Sequence, residues 1–145
     1  MNSTQGCKQL LRLALLATCL AVANVQAEVV VVVAANSPVS SISRSDVAKI
    51  FLGKSRRFAD GSRAIPLNQS ESNTAREIFY RQVSGKSPAQ VKAHWAKLIF
   101  TGRGQPPKEA SNSAKIKQLL TKNTGNISYL NLSAVDDSVK VLPLK

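Results

Sequence analysis

The stretch "IPLNQSESNTAREIFYRQ", residues 65–82, decides how the chain is read. "AIPLN", residues 64–68, predicts a short strand, and Ala75, Ile78, Phe79 and Val83 recur at helical spacing. That spacing predicts a helix from about Thr74 to Val83, with Gly85 as its left-handed stop. Between strand and helix stand Gln69, Ser70, Glu71, Ser72, Asn73 and Thr74, although one Asn, Ser or Thr suffices to cap a helix. A strand running into a helix is the building unit of an α/β sheet, and open sheets of that class bind ligands beyond the carboxyl ends of their strands.

Two readings of the polar run follow. In the first, Asn73 or Ser72 caps the helix and the rest is a polar loop. In the second, the segment is an anion cradle. The free N–H groups of residues 73 to 76 point outward with the positive end of the helix dipole behind them. Ser70, Ser72 and Thr74 add hydroxyls, and Arg76 adds a charge one turn in.

Working outward, "EVVVVVAANSPVSS" begins with five consecutive valines, Val29 to Val33, the pattern of a strand covered on both faces as in a parallel sheet. Asn36, Ser37 and Pro38 end it, and Asn36, Ser37 and Ser40 are expected to face Ser72 across the sheet crevice, or else to form an ordinary loop. "SRSDVAKIFLGK" predicts a helix opened by Ser43 and Asp46 at capping-box spacing and stopped at Gly53. Pro66 points to an edge or irregular ladder for the strand after it. Ser87, Pro88 and Gln90 open a further helix with Val91, Trp95, Leu98 and Ile99 as its buried stripe. "TGRGQPP" is a loop, a helix runs from about Ser113 to Lys122, and the strands "ISYL" and "VKVLPL" finish the chain. Strands alternating with helices, with no repeat or linker, predict one α/β sandwich.

The first 27 residues stand apart. Lys8 and Arg12 precede the apolar "LALLATCLAV", too short for a comfortable membrane span, and "VQA" ends at Ala27 as a signal-peptidase site does. The expectation is residues 1–27 as a signal peptide and 28–145 as one domain, periplasmic or secreted, with no membrane span in the mature chain. "LATC" offers a lipoprotein alternative at Cys19, to which Thr18 fits poorly. Both cysteines, Cys7 and Cys19, fall in this segment, so the mature domain has no disulfide and no thiolate ligand. Eighteen of the twenty basic residues and all eight acids lie beyond it, a net charge of +10. That excess favours phosphate-like solutes, nucleic acid or acidic envelope surfaces without choosing among them.

The residues "VAKIFLGKSRRF…GSRAIPLNQSESNTAREIFYRQVSGKSP", with "NTGNISYL" later, resemble the phosphate-binding proteins of ABC importers. That family has an "IF.GK" helix, a strand, a Ser-Gly-Thr helix start and an "IGY" strand in the same order. The resemblance implies a single-lobe periplasmic-binding-protein-like (type II) three-layer α/β sandwich with a mainly parallel sheet. It also implies non-covalent binding of phosphate or a similar oxyanion, and an ABC importer membrane complex or another envelope protein as partner. Ser72 and Thr74 match the family's hydroxyl positions, Asn73 stands where Gly is usual, and Glu71 corresponds loosely to the residue that accepts a proton from the ligand. The family's arginine position is occupied by Asn68 or a neighbour, and Arg76 does not replace it. Full-size members close two lobes over the solute, whereas residues 28–145 match one.

Other chemistry finds little support. "TGRGQPPK" lacks the Gly-Lys-Ser/Thr ending of a nucleotide loop. His94 is the only histidine and the acids are scattered, so no metal or cofactor is expected, and His94 is placed beside Trp95 against the core. Asp136 and Asp137 point to opposite strand faces and are expected to cap a turn rather than act as an acid/base pair. No nucleophile, base and orienting group come together, so an enzyme is not expected. Tyr80, Tyr129 and Trp95 are too few for a stacking platform, so no nucleic acid is expected. Two readings remain: an oxyanion-binding protein, and a single-lobe relative that acts as an interaction or sensory partner in the envelope without tight ligand binding. Simple adhesion to acidic polymers is a weaker third.

Overall fold

The computed structural model describes residues 27–145. The predicted signal segment, with the lipoprotein alternative at Cys19, therefore lies outside the described residues except for Ala27. Five strands form one mixed sheet in the order β3-β2-β4-β1-β5, with β1 Val29–Ala34, β2 Ile65–Gln69, β3 Lys108–Ala110, β4 Asn126–Asn131 and β5 Val139–Val141. Four α-helices, α1 Arg44–Phe51, α2 Thr74–Ser84, α3 Pro88–Phe100 and α4 Ser113–Lys122, and a short 3-10 turn Leu132–Ala134 complete the described residues.

Alternation along the strands makes the layers. Val29, Val31, Val33, Ile127 and Tyr129 face one side and join Ile50 and Phe51 of α1, Phe79 and Tyr80 of α2 and Val91 and Trp95 of α3. Val32, Leu67, Ala110, Leu130 and Val139 face the other and meet Ile116 and Leu120 of α4. Three helices, a sheet and one helix give the three-layer α/β sandwich that the resemblance implied. The aromatic centre is tight: Phe79 stacks on Tyr129 with ring centroids 4.0 Å apart, and Phe51 meets Phe79 edge-on at 4.7 Å.

The sheet is less parallel than expected. β2 runs parallel to β3 and β4, but β1 is antiparallel to both β4 and β5. The valine run is indeed covered on both faces, with Val31, Val32 and Val33 at 3%, 0% and 0% exposure. Two-sided burial constrains composition and leaves strand direction open, which is why the pattern misled. Pro66 also sits on an inner strand. Its lack of an N–H is tolerated because the β3 ladder begins only at Leu67.

The helix ends follow the predicted signals. Ser43 accepts from the Asp46 amide, Ser87 and Gln90 close a full capping box with Pro88 in the first turn, and Gly85 adopts φ 67° at the end of α2. His94 Nε2–H donates to the Leu52 carbonyl, 2.8 Å away, and the ring lies edge-on to Trp95. Asp136 holds the Ser138 amide in the turn before β5. With Lys117 and Ser138 bonded to it, its carboxyl is pulled down to about 2.

Candidate anion site at the start of α2

Strand β2 delivers its last residues into the polar run, and a dense hydrogen-bonded chain fixes the hand-over. Asn68 and Gln69 are 0% and 1% exposed, so their amides must find partners inside the protein. Tyr129 Oη donates to Asn68 Oδ1 at 2.6 Å, Asn68 Nδ2 donates to Tyr80 Oη at 3.1 Å, and the Gln69 amide donates to Tyr129 Oη at 3.2 Å. Gln69 Nε2 donates to the Tyr129 carbonyl at 2.8 Å, and Gln69 Oε1 accepts from Asn73 Nδ2. Burial pushes the Tyr80 phenol up to about 12, against smaller downward pulls from the Asn68 hydrogen bond and Arg76. Burial also raises that of Tyr129.

Asn73 is the N-cap of α2: its Oδ1 accepts from the Ala75 amide at 3.0 Å. The Asn73 amide bonds the Ser70 carbonyl and the Arg76 amide bonds the Asn73 carbonyl. Of the four amides expected to be free, 73 to 76, only that of Thr74 lacks a hydrogen bond within the described residues. The cradle is therefore narrower than the sequence implied, because Asn73 spends its side chain capping its own helix.

Arg76 is also differently employed. Its guanidinium donates to the Gln69 carbonyl at 2.9 Å and to Glu109 of β3, with its side chain 13% exposed. It clamps α2 to the ends of β2 and β3, its charge answered by a carboxylate. Asn68, at or beside the position where the resembling family carries arginine, is turned into the tyrosine pair.

Glu71, Ser72, Asn73, Thr74 and Arg76 border a hollow of ≈ 270 Å³ between the first turns of α2 and α3. Glu77, Tyr80 and Lys92 also line it, as do Pro88, Ala89 and Val91 of α3. Glu71, Ser72 and Thr74 are exposed, whereas Ser70, also expected in the cradle, is not among the residues lining the hollow, and its hydroxyl lies 3.2 Å from that of Ser72. Two of the four charges are spent: Arg76 on Glu109, and Glu77 on Arg81 at 3.0 Å. Lys92 and Glu71 form no ion pair within the described residues, so the free charge of the hollow is one cation and one carboxylate. Lys92 was missed from sequence because its place depends on how α3 packs beside α2, which no local pattern records.

Asn36 and Ser37 do not join this group. β1 is antiparallel to β4, and its end at Val33 pairs with Ile127 at the beginning of β4. Ser37 is 4% exposed, donates to the Thr124 carbonyl at 3.3 Å and accepts from the Val39 amide. The loop after β1 thus lies at the opposite end of the sheet from Ser72. The expectation that it faces the cradle presumed a parallel first strand, and strand direction removes it.

No protein-family description matches the chain, and no curated protein is similar to it in sequence. Solved structures do match. One from Clostridium perfringens, described as a phosphate ABC transporter substrate-binding protein and holding bound phosphate, is 19% identical with a TM-score of 0.65 over 81% of this chain and 45% of its own. An ABC-type phosphate transport receptor from Vibrio cholerae gives 16% and 0.61 over 81% of this chain and 46% of its own. PstS from Borrelia burgdorferi gives 11% and 0.59 over 81% of this chain and 47% of its own. At these identities the likeness shows the fold, a periplasmic-binding-protein-like sandwich. The chain spans a little under half the length of these three structures.

Proposed function

We propose that the protein is an exported solute-binding protein that takes up phosphate or a similar oxyanion, without covalent chemistry, at the start of α2. The observation that carries the reading is that Ser72 and Thr74, the latter with its amide unengaged among the described residues, line one hollow together with Lys92. Those groups donate to a negative guest at the positive end of an 11-residue helix. Glu71 on the same rim repels a fully ionised anion but accepts a hydrogen bond from one that still carries a proton. The site then favours hydrogen phosphate over sulfate. The fold shared with phosphate-binding transport proteins supports the class of ligand, and the signal-like residues 1–27 support export, to the periplasm or out of the cell.

Calorimetric titration with phosphate and with sulfate tests the proposal. Heat with phosphate, weakened about tenfold or more by Ser72→Ala with Thr74→Ala, is the expected result. Absence of heat with either anion at millimolar concentration contradicts it. Glu71→Gln is expected to narrow the preference for phosphate over sulfate.

A second reading is favoured by the occupied Arg76: an envelope interaction or sensory partner that has loosened its hold on solute. It requires a stable partner in pull-downs from envelope extracts whose binding is indifferent to the Ser72→Ala, Thr74→Ala pair. An ABC importer membrane complex is the partner class that the first reading implies.

A further inference from the structure

A different hollow, of ≈ 460 Å³, lies where β2 and β3 begin and α1 and α3 end. Four cations border it, Arg56, Arg63, Arg103 and Lys108, and no carboxylate does. The three other principal hollows among the described residues each carry at least one acid. None of the four cations forms an ion pair within the described residues, where the salt bridges are Lys49–Asp46, Arg76–Glu109, Arg81–Glu77 and Lys117–Asp136. Four like charges around one concavity repel one another, and no carboxylate among the described residues answers them.

Other lining residues carry N–H groups that lack acceptors among the described residues. The loop Gly102–Pro107 contributes the Gly104 and Gln105 amides, neither of which is hydrogen-bonded within the described residues. Trp95 forms part of the wall, 5% exposed, and its buried indole N–H likewise has no acceptor. Close packing holds the place in shape: a Cβ at Gly53 would lie 2.8 Å from the Trp95 ring, and one at Gly104 would lie 3.6 Å from it.

We propose that this hollow is a second anion site, distinct from the start of α2, that takes a ligand carrying two or more clustered phosphate groups. A single phosphate answers one or two guanidinium groups, whereas a wall with four free cations is matched by several negative charges side by side. The inference does not rest on the reading of the α2 site, because the two hollows share no lining residue. Phe100, 93% exposed, ends α3 just before the loop, so the phosphates are either those of a free oligophosphate or those of lipid headgroups beside an apolar anchor.

Tripolyphosphate is the probe for the free form, and vesicles of phosphatidylglycerol are the probe for the lipid form. Trp95, the only tryptophan, reports binding by its fluorescence. Arg63→Gln and Arg103→Gln are each expected to weaken tripolyphosphate about five- to tenfold, with circular dichroism confirming the fold. Should either variant misfold, Lys108→Gln reads the same wall from β3. Ser72→Ala with Thr74→Ala is expected to leave tripolyphosphate binding unchanged. Vesicle binding that is lost in the arginine variants and in Phe100→Ala identifies a lipid source within the same chemistry. The control removes two cations elsewhere, Lys115→Gln with Lys122→Gln on α4. An equal loss in that control, or no binding of either probe, overturns the proposal, since charge would then act diffusely or not at all.

Discussion

Tyr80 and Tyr129 are the chain's two tyrosines, and both phenols are buried in contact with Asn68. Burial raises both pKa values, Tyr80 to about 12, so the fold prefers the neutral phenols. The preference contributes stability that is complete below the unfolded value of about 10 and is lost as pH climbs through the folded values. Near-ultraviolet absorbance should therefore show almost no phenolate at about pH 11, where free tyrosine is mostly ionised. Phenolate should appear together with loss of the far-ultraviolet dichroism. Ionisation of either tyrosine at its ordinary pH in a folded sample would contradict this packing. A second residue-scale test lies at Gly53, where φ is 74° and an added Cβ meets Trp95 at 2.8 Å. Gly53→Ala should destabilise by about 1–3 kcal/mol in urea unfolding, from backbone strain and overpacking together.

At the scale of elements, helix α2 depends on Asn73 more than an ordinary cap would require. Its Oδ1 holds the Ala75 amide while its Nδ2 supplies Gln69 Oε1, which links the helix start to the buried amides of β2. Asn73→Ala should cost about 2 kcal/mol in chemical denaturation, the loss of a cap plus the acceptor of buried Gln69 left unpaired. Asn73→Asp, which keeps the cap and removes the donor to Gln69, should cost less. The helices were legible in sequence because caps, glycines and the 3.6-residue repeat are local. α4 was expected at Ser113 to Lys122, the residues it occupies, and α2 extends the expected span by one residue. Strand β3 was not legible: three residues, two of them exposed, carry no alternation to read. The polar run before α2 was recognised for its composition, but composition does not say which amides are already bonded. The partnership of Arg76 with Glu109, 33 positions away, could not be seen from either residue's neighbours.

For the whole molecule, the dominant fact is a surplus of positive charge. Residues 28–145 carry a net +10, and the described residues contain four ion pairs, in each of which at least one side chain is substantially exposed. Exposed pairs contribute little, about 0–1 kcal/mol each, so self-repulsion is only weakly offset. Added sodium chloride should raise the unfolding temperature from low ionic strength and level off once the screening length approaches about 8 Å, near 0.15 M. Anions held at a site act by a different law: they add stability as the logarithm of their concentration over Kd, about 2.7 kcal/mol at a hundredfold excess, with no plateau set by ionic strength. Thermal melts at matched ionic strength should thus place tripolyphosphate above sodium chloride, the difference growing with concentration and shrinking in Arg63→Gln. Phosphate should exceed chloride by an increment that shrinks in Ser72→Ala with Thr74→Ala instead. Identical melts in all three salts at matched ionic strength would mean that the surplus charge is merely screened and that neither hollow holds an anion.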